Sequence, residues 1–283
     1  MLEHLAPAMA CLALALYAVG TRSSRWRRPV ARLRTISFCA GLGTVVLALS
    51  GPLDRLSDSL FSANMGQNLL LLNVAAPLLA FSVPWLSSVR VHPLGLGHDV
   101  ATTIVRRRVL VWARVLGRAA IGPAGVWVAA MFSMVFWHLP GPYDMTLRNG
   151  AVHMVEHLCF LVFGILFWAY VISMSRRGST VPHSWRIGYV GSVMLINIGL
   201  SIYLAFAQHP LYVPYARLAH RPGEITALAD QQIGAGLMWS AGDLPFAIAI
   251  AIMLHRWLAQ ADAQAAPIAT TVPGLLASDR ESR

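Results

Sequence analysis

Two histidines four residues apart, His153 and His157, open a stretch whose next sixteen positions, CFLVFGILFWAYVISM, carry no charge. On a helix that spacing sets both rings on one face, about 6 Å apart at Cβ. Glu156 borders the same face and can orient a ring or accept its N–H. Neutral imidazole is a ligand for copper, zinc and iron. Two ligands do not complete a site, so further donors must come from neighbouring helix ends. The candidates are His138 in WHLPGPYD, Asp230 in ALADQQIG and Met65 in FSANMGQN, with Met154 as a second thioether. Thioethers suit cuprous copper. The plainer alternative is an interfacial role, with the rings bonded to lipid headgroups or loop carbonyls. Glu156 favours the metal reading, because ionisable residues at membrane depth are costly and mark functional sites.

The elements that must hold these residues are membrane helices. The chain has 283 residues, 57% hydrophobic and 12% charged, with a mean hydropathy of +0.59. Soluble domains carry about a quarter charged residues. A bilayer core needs about 20 mostly apolar residues in a helix. Segments 2–20, 35–52, 66–86, 119–138, 151–174, 187–207 and 232–258 meet or approach that length. The expected architecture is an all-α, polytopic bundle of seven transmembrane helices over 1–258, followed by a disordered cytoplasmic tail over 259–283. The N-terminal segment has its arginines after the apolar run, which reads as a retained first helix rather than a cleaved signal.

All 22 basic residues are arginine. Eighteen fall between spans 1 and 2, 3 and 4, 5 and 6, or after span 7. The other four are Arg55, Arg148, Arg217 and Arg221. The positive-inside rule then puts the N-terminus outside and the C-terminus in the cytoplasm. The histidines thus sit at the outer end of their helices. The net charge of +10 does not point to nucleic acid, because these arginines lie in short segments between apolar runs rather than on one basic face. The run Arg106–Arg108 reads as topology, with contact to anionic lipid as an addition. Cys11, Cys39 and Cys159 lie in apolar stretches without a CxxC pair and read as small buried residues.

Several further features bear on the site. Asn64, Gln67 and Asn68 repeat the polar spacing of His153, Glu156 and His157, which suggests two related helix entrances. Gly234, Ala235 and Gly236 allow another helix to approach closely. Asp243 lies about 20 Å along its helix from Asp230. It must be protonated or paired, Arg186 being the candidate partner, and Pro245 after it kinks the helix. The loop HPLYVPYARLAHRPGEITALAD holds His209, Tyr212, Tyr215 and His220; interfacial anchoring accounts for its tyrosines, and partner docking is the alternative.

The segments QNLLLLNVAAPLLAFSVP, WHLPGPYDMTLRN, HMVEHLCFLVFGILFWAYVI and ADQQIGAGLMW, in that order, resemble the signatures of the CtaG family of seven-helix cytochrome c oxidase assembly proteins. The resemblance runs from about residue 50 to 245. It implies maturation of a haem–copper oxidase, with copper handled on the outer side of the cell inner membrane and oxidase subunits and membrane lipid as partners. It implies no enzymatic activity, and a homodimer stays open. The family commonly carries histidines where this chain has Asn64 and Asn68, and an amide oxygen is a poor ligand for cuprous copper. Three other readings compete. In an intramembrane zinc hydrolase, Glu156 or Asp230 would act as base on a metal-bound water. A b-type cytochrome would use the histidines as axial ligands. A metal-free assembly scaffold would bind no metal at all.

Overall fold

The structure, a computed structural model, describes residues 28–82, 122–175 and 179–265, with a few isolated positions before residue 28. Among these residues every regular element is helical. α1 is Arg28–Leu49 and α2 is Pro52–Ser57; Gly51, at φ 89°, makes the corner between them. α3 is Phe61–Leu69, continued by a π-helical stretch Leu70–Ala75 into α4, Ala76–Ser82. α5, Pro123–Trp137, bends by 74° into α6, Pro140–Arg148. α7 is Gly150–Met174 and α8 is His183–Ala205. A short α9, Val213–Ala216, precedes the long α10, Ala227–Ala265.

Five of these helices, the α3–α4 run counted as one, are long and apolar enough to cross a membrane; the bent α5–α6 pair makes six if it is one span. Seven spans are therefore met in part. α5 alone, at about 1.5 Å per residue, is shorter than a bilayer core. The chain breaks at His138 and Leu139, where Pro140 and Pro142 start a new helix in another direction. The expected span 2–20 falls largely outside the described residues, as do Arg106–Arg108 and the chain beyond 265. α10 continues to Ala265, seven residues past the expected end of the bundle.

The π-helical stretch has a local cause. Pro77 has no N–H, and Ala76 N–H reaches back to the Leu71 carbonyl. The Leu72 carbonyl therefore receives neither, and the Trp168 indole N–H donates to it at 2.9 Å. Gly164 lets α7 come this close: a Cβ there would lie 2.9 Å from Leu72 Cδ1 and 3.0 Å from Ala76 Cβ. Trp168 in turn stacks on Phe246 of α10, with ring centroids 5.5 Å apart. Trp168→Phe leaves this part-buried carbonyl without its donor, and we expect a loss of about 1 kcal/mol in detergent unfolding.

At the far end of α8, Arg186 donates to the carbonyls of Val181 and Ser179 at 2.8 and 2.9 Å. It is not the partner of Asp243, as the sequence suggested. Asn197 of α8 bonds Asp243 instead, at 3.0 Å. Two facing positions on packed helices decided this pairing, and α10 runs on through Pro245 as one helix.

Candidate functional site

One end of the bundle gathers the starts of α3, α7 and α10 with the ends of α5 and α8. Each start has a defined cap. Asn149 Oδ1 accepts from Ala151 N–H at 2.9 Å and begins α7. Thr226 Oγ1 accepts from Ala229 N–H at 3.1 Å and begins α10. α3 has no cap of its own: Leu60 precedes it and contributes no side-chain bond. Asp230, 169 residues away, supplies one. Its Oδ2 accepts from Phe61 N–H at 2.6 Å, and its Oδ1 accepts from Ser62 N–H at 3.1 Å and Ser62 Oγ at 2.5 Å. A carboxylate there also meets the positive end of the helix dipole.

Between α3 and α7 runs a buried polar ladder. Asn64 Nδ2 lies 3.1 Å from His153 Nε2. An amide nitrogen only donates, so Nε2 accepts and the ring's proton sits on Nδ1. Asn68 Nδ2 donates to Asn64 Oδ1 and to Glu156 Oε1, each at 3.1 Å. The His153 and His157 rings lie 4.3 Å apart. Three polar atoms here are buried without a partner: His157 Nε2, Glu156 Oε2 and Asn68 Oδ1. Gln67 points elsewhere, donating to the Ala48 carbonyl at 2.7 Å and to Asp54 at 3.1 Å. The two similar entrances seen in the sequence are thus the two sides of one interface.

His138 occupies the elbow between α5 and α6. Its Nδ1 lies 2.6 Å from the Met134 carbonyl, which accepts, so Nε2 carries the lone pair. That nitrogen is buried and unpartnered. The ring meets Phe160 edge-on at 6.1 Å, one helical turn beyond His157 along α7. The loop between α8 and α10 closes over this region. Tyr212 donates to the His138 carbonyl at 3.0 Å, and Tyr215 donates to the Ser57 carbonyl at 2.6 Å. Both rings pack with Phe61 and Tyr143. Burial pushes both hydroxyls well above the usual tyrosine range, so they stay neutral donors. The interfacial anchoring expected of these tyrosines is therefore corrected: they are 1% and 3% exposed and lie inside the protein. His209 and His220 stay on the exposed part of the loop.

Two other expected ligands have surroundings of their own. Asp230 has both oxygens bonded at the start of α3. Met65 is buried among Phe61, Tyr143 and Tyr212 and faces Gly234 of α10, a quarter turn from the Asn64–Asn68 face. His138, His157 and Glu156 are buried, and His153 is half-buried beside His157. No group of three or more histidine, cysteine or acidic side chains is set to hold a metal among the described residues. The structure pairs the His153 and His157 rings and sets His138 against Phe160, one turn further along α7. Sequence reasoning missed Gln231, which fastens the loop by accepting from Leu211 N–H at 2.8 Å and donating to the Leu204 carbonyl at 2.9 Å. It also missed Tyr143 at the centre of the aromatic cluster. An unbroken polar run, Asp230-Gln231-Gln232, entering an apolar helix was the available signal.

A helical membrane protein with a buried histidine–amide–carboxyl cluster at one end is the class these features define. The profile of the cytochrome c oxidase caa3 assembly factor family (Caa3_CtaG) matches residues 15–260, and the chain belongs to that family. An uncharacterized protein of Mycobacterium bovis is 25% identical over 249 residues, covering 86% of this chain and 36% of its own length. One from Mycobacterium leprae is 23% identical over 235 residues, covering 82% and 35%. The chain therefore spans about a third of the length of these curated relatives. No solved structure matches it.

Proposed function

We propose that this protein is an assembly factor of the cell inner membrane that passes copper, as cargo, to a haem–copper cytochrome c oxidase. Family membership supports the oxidase role. The arginine distribution supports an outward-facing site. The observation that carries the copper reading is the pair of buried imidazole nitrogens, His138 Nε2 and His157 Nε2, with no hydrogen-bond partner. His138 has its other nitrogen on a backbone carbonyl, the arrangement usual for a metal-ligating histidine. His153 is the third donor, once Asn64 releases it. The fit is to a weak, incompletely coordinated site, which suits a carrier that must give up its cargo.

The chain performs no chemistry of its own in this reading. It buries His138 and His157, holds their surroundings in place and packs the tyrosine loop beside them. A zinc hydrolase requires three ligands around one ion, and no observation here favours it. The partners are oxidase subunits and the surrounding lipid, with self-association a further option.

The test is anaerobic cuprous titration of detergent-purified protein, wild type beside the His153→Ala/His157→Ala double variant. Wild type should bind copper stoichiometrically, and the double variant roughly 10–100-fold more weakly or not at all. Cells carrying the double variant should insert the protein normally yet hold oxidase deficient in copper. Equal binding by both proteins overturns the copper site. Binding by neither leaves an assembly scaffold.

A further inference from the structure

Midway along the bundle, well away from the histidines, three helical elements converge on Asp243. The carboxylate is 4% exposed. Its Oδ1 accepts from Asn197 Nδ2 of α8 at 3.0 Å, and its Oδ2 is buried with no partner. Asn197 spends its second amide hydrogen on the Met238 carbonyl at 2.9 Å. From the π-helical stretch, Asn73 donates to the carbonyl of Gly242, the residue before Asp243, at 2.9 Å. The Asn73 Oδ1 is likewise buried without a donor. Gly242 permits this approach: a Cβ there would lie 3.1 Å from Leu69 Cδ2 and 3.3 Å from Asn197 Nδ2. Asp243 Oδ2 on α10 and Asn73 Oδ1 on the π-helical stretch are thus both unpartnered, and Asn73 is held at the residue next to Asp243.

No positive charge on the described elements meets them. α3, the π-helical stretch and α4 contain no titratable side chain. On α8, Arg186 is eleven residues from Asn197 and is bonded to backbone carbonyls. His183, Tyr189 and Tyr203 on α8 and Asp230, His255, Arg256 and Asp262 on α10 form no bond with Asp243. α7 offers Trp168, stacked on Phe246, and Phe167, edge-on to it, to this part of α10. An isolated carboxylate in apolar surroundings costs several kcal/mol unless it is neutralised.

We propose that the Asp243–Asn73–Asn197 junction is an intramembrane site for a compensating monovalent cation, either a proton or a sodium ion. Asp243 supplies the charge and one oxygen, Asn73 Oδ1 supplies the second, and Asn197 fixes the carboxyl group. Because the cation joins the π-helical stretch to α10, its arrival tightens three helices at once. The proposal stands apart from the copper reading, since no residue is shared.

The experiment is infrared difference spectroscopy of detergent-purified full chain labelled with carbon-13 aspartate, at neutral pH in sodium-free choline buffer and then with sodium added. A protonated carboxyl band in sodium-free buffer, absent from Asp243→Asn and unchanged by sodium, establishes the proton. Loss of that band on adding sodium, or a sodium-dependent rise in melting temperature absent from Asp243→Asn, establishes sodium. Asn73→Leu keeps the carboxyl but removes the second oxygen, and should weaken the sodium response or shift the band. It serves as the comparison if Asp243→Asn does not fold. An ionised Asp243 in sodium-free buffer that ignores sodium overturns the proposal.

Discussion

Asp230→Ala should lower the unfolding free energy by about 3 kcal/mol in detergent, among the largest single-residue effects in this protein. The reason is that one carboxylate takes three hydrogen bonds at the start of α3, from Phe61 N–H, Ser62 N–H and Ser62 Oγ. Bonds to a charged acceptor contribute roughly 1.5–3 kcal/mol each, and bonds sharing one group are not additive. Removal leaves the Phe61 amide buried and unbonded, because the chain before it provides no cap. Asp230→Asn keeps one acceptor oxygen but turns an amide donor toward other donors, so it should recover only part of the loss. Thermal or SDS-induced unfolding checks both variants. The effect should reach the histidines, since α3 carries Asn64 and Asn68. A cuprous titration of Asp230→Ala at low temperature, where it remains folded, should be weakened, though less than by loss of the imidazoles. If Asp230→Ala unfolds like the wild type, α3 is not held by this contact and the account of the site's rigidity fails.

The second large effect lies one turn further along α10. Gly234→Ala places a methyl group 2.6 Å from Phe61 Cε1 and 3.2 Å from Met65 Cγ. Phe61 is 1% exposed and held among three tyrosine rings, so it cannot swing aside. Overpacking of this kind costs about 1–3 kcal/mol. Gly236→Ala is the internal control: nothing lies within 4 Å of its added methyl group. It should be neutral or slightly stabilising, by at most about 1 kcal/mol, because alanine is the better helix former. Melting temperatures of the two variants, measured side by side, should therefore move apart. Equal behaviour would mean that α3 and α10 do not touch at Gly234.

Much of this architecture is legible in the residues. The apolar runs between arginine clusters mark membrane helices, because a lipid core demands length and apolarity before anything else. Five spans and a bent sixth meet that expectation. The end of a span at WHLPGPYD was legible, since the expected segment 119–138 stops where α5 does, but the helix that follows it was not. The segment is apolar enough to count as one span with its predecessor, yet Pro140 and Pro142 force a 74° turn. That His153, Glu156 and His157 border one helix face was visible from their spacing alone. So was the kinship of their polar pattern with Asn64, Gln67 and Asn68, although facing helices, not similar roles, explain it.

What the sequence alone determined is the class of protein, the helices and the few polar residues inside them, since these follow from the cost of placing polar groups in hydrocarbon. What only the tertiary structure decided is which of those groups meet. Asp230 and Met65 looked like ligands by type and depth. Packing turned one to the N-terminus of a helix 169 residues away and the other into an aromatic cluster. Asp243 found an amide rather than an arginine. Residue type sets what a side chain can bond, but the rotation of its helix and the neighbour it faces are many-body outcomes of packing that no local spacing encodes.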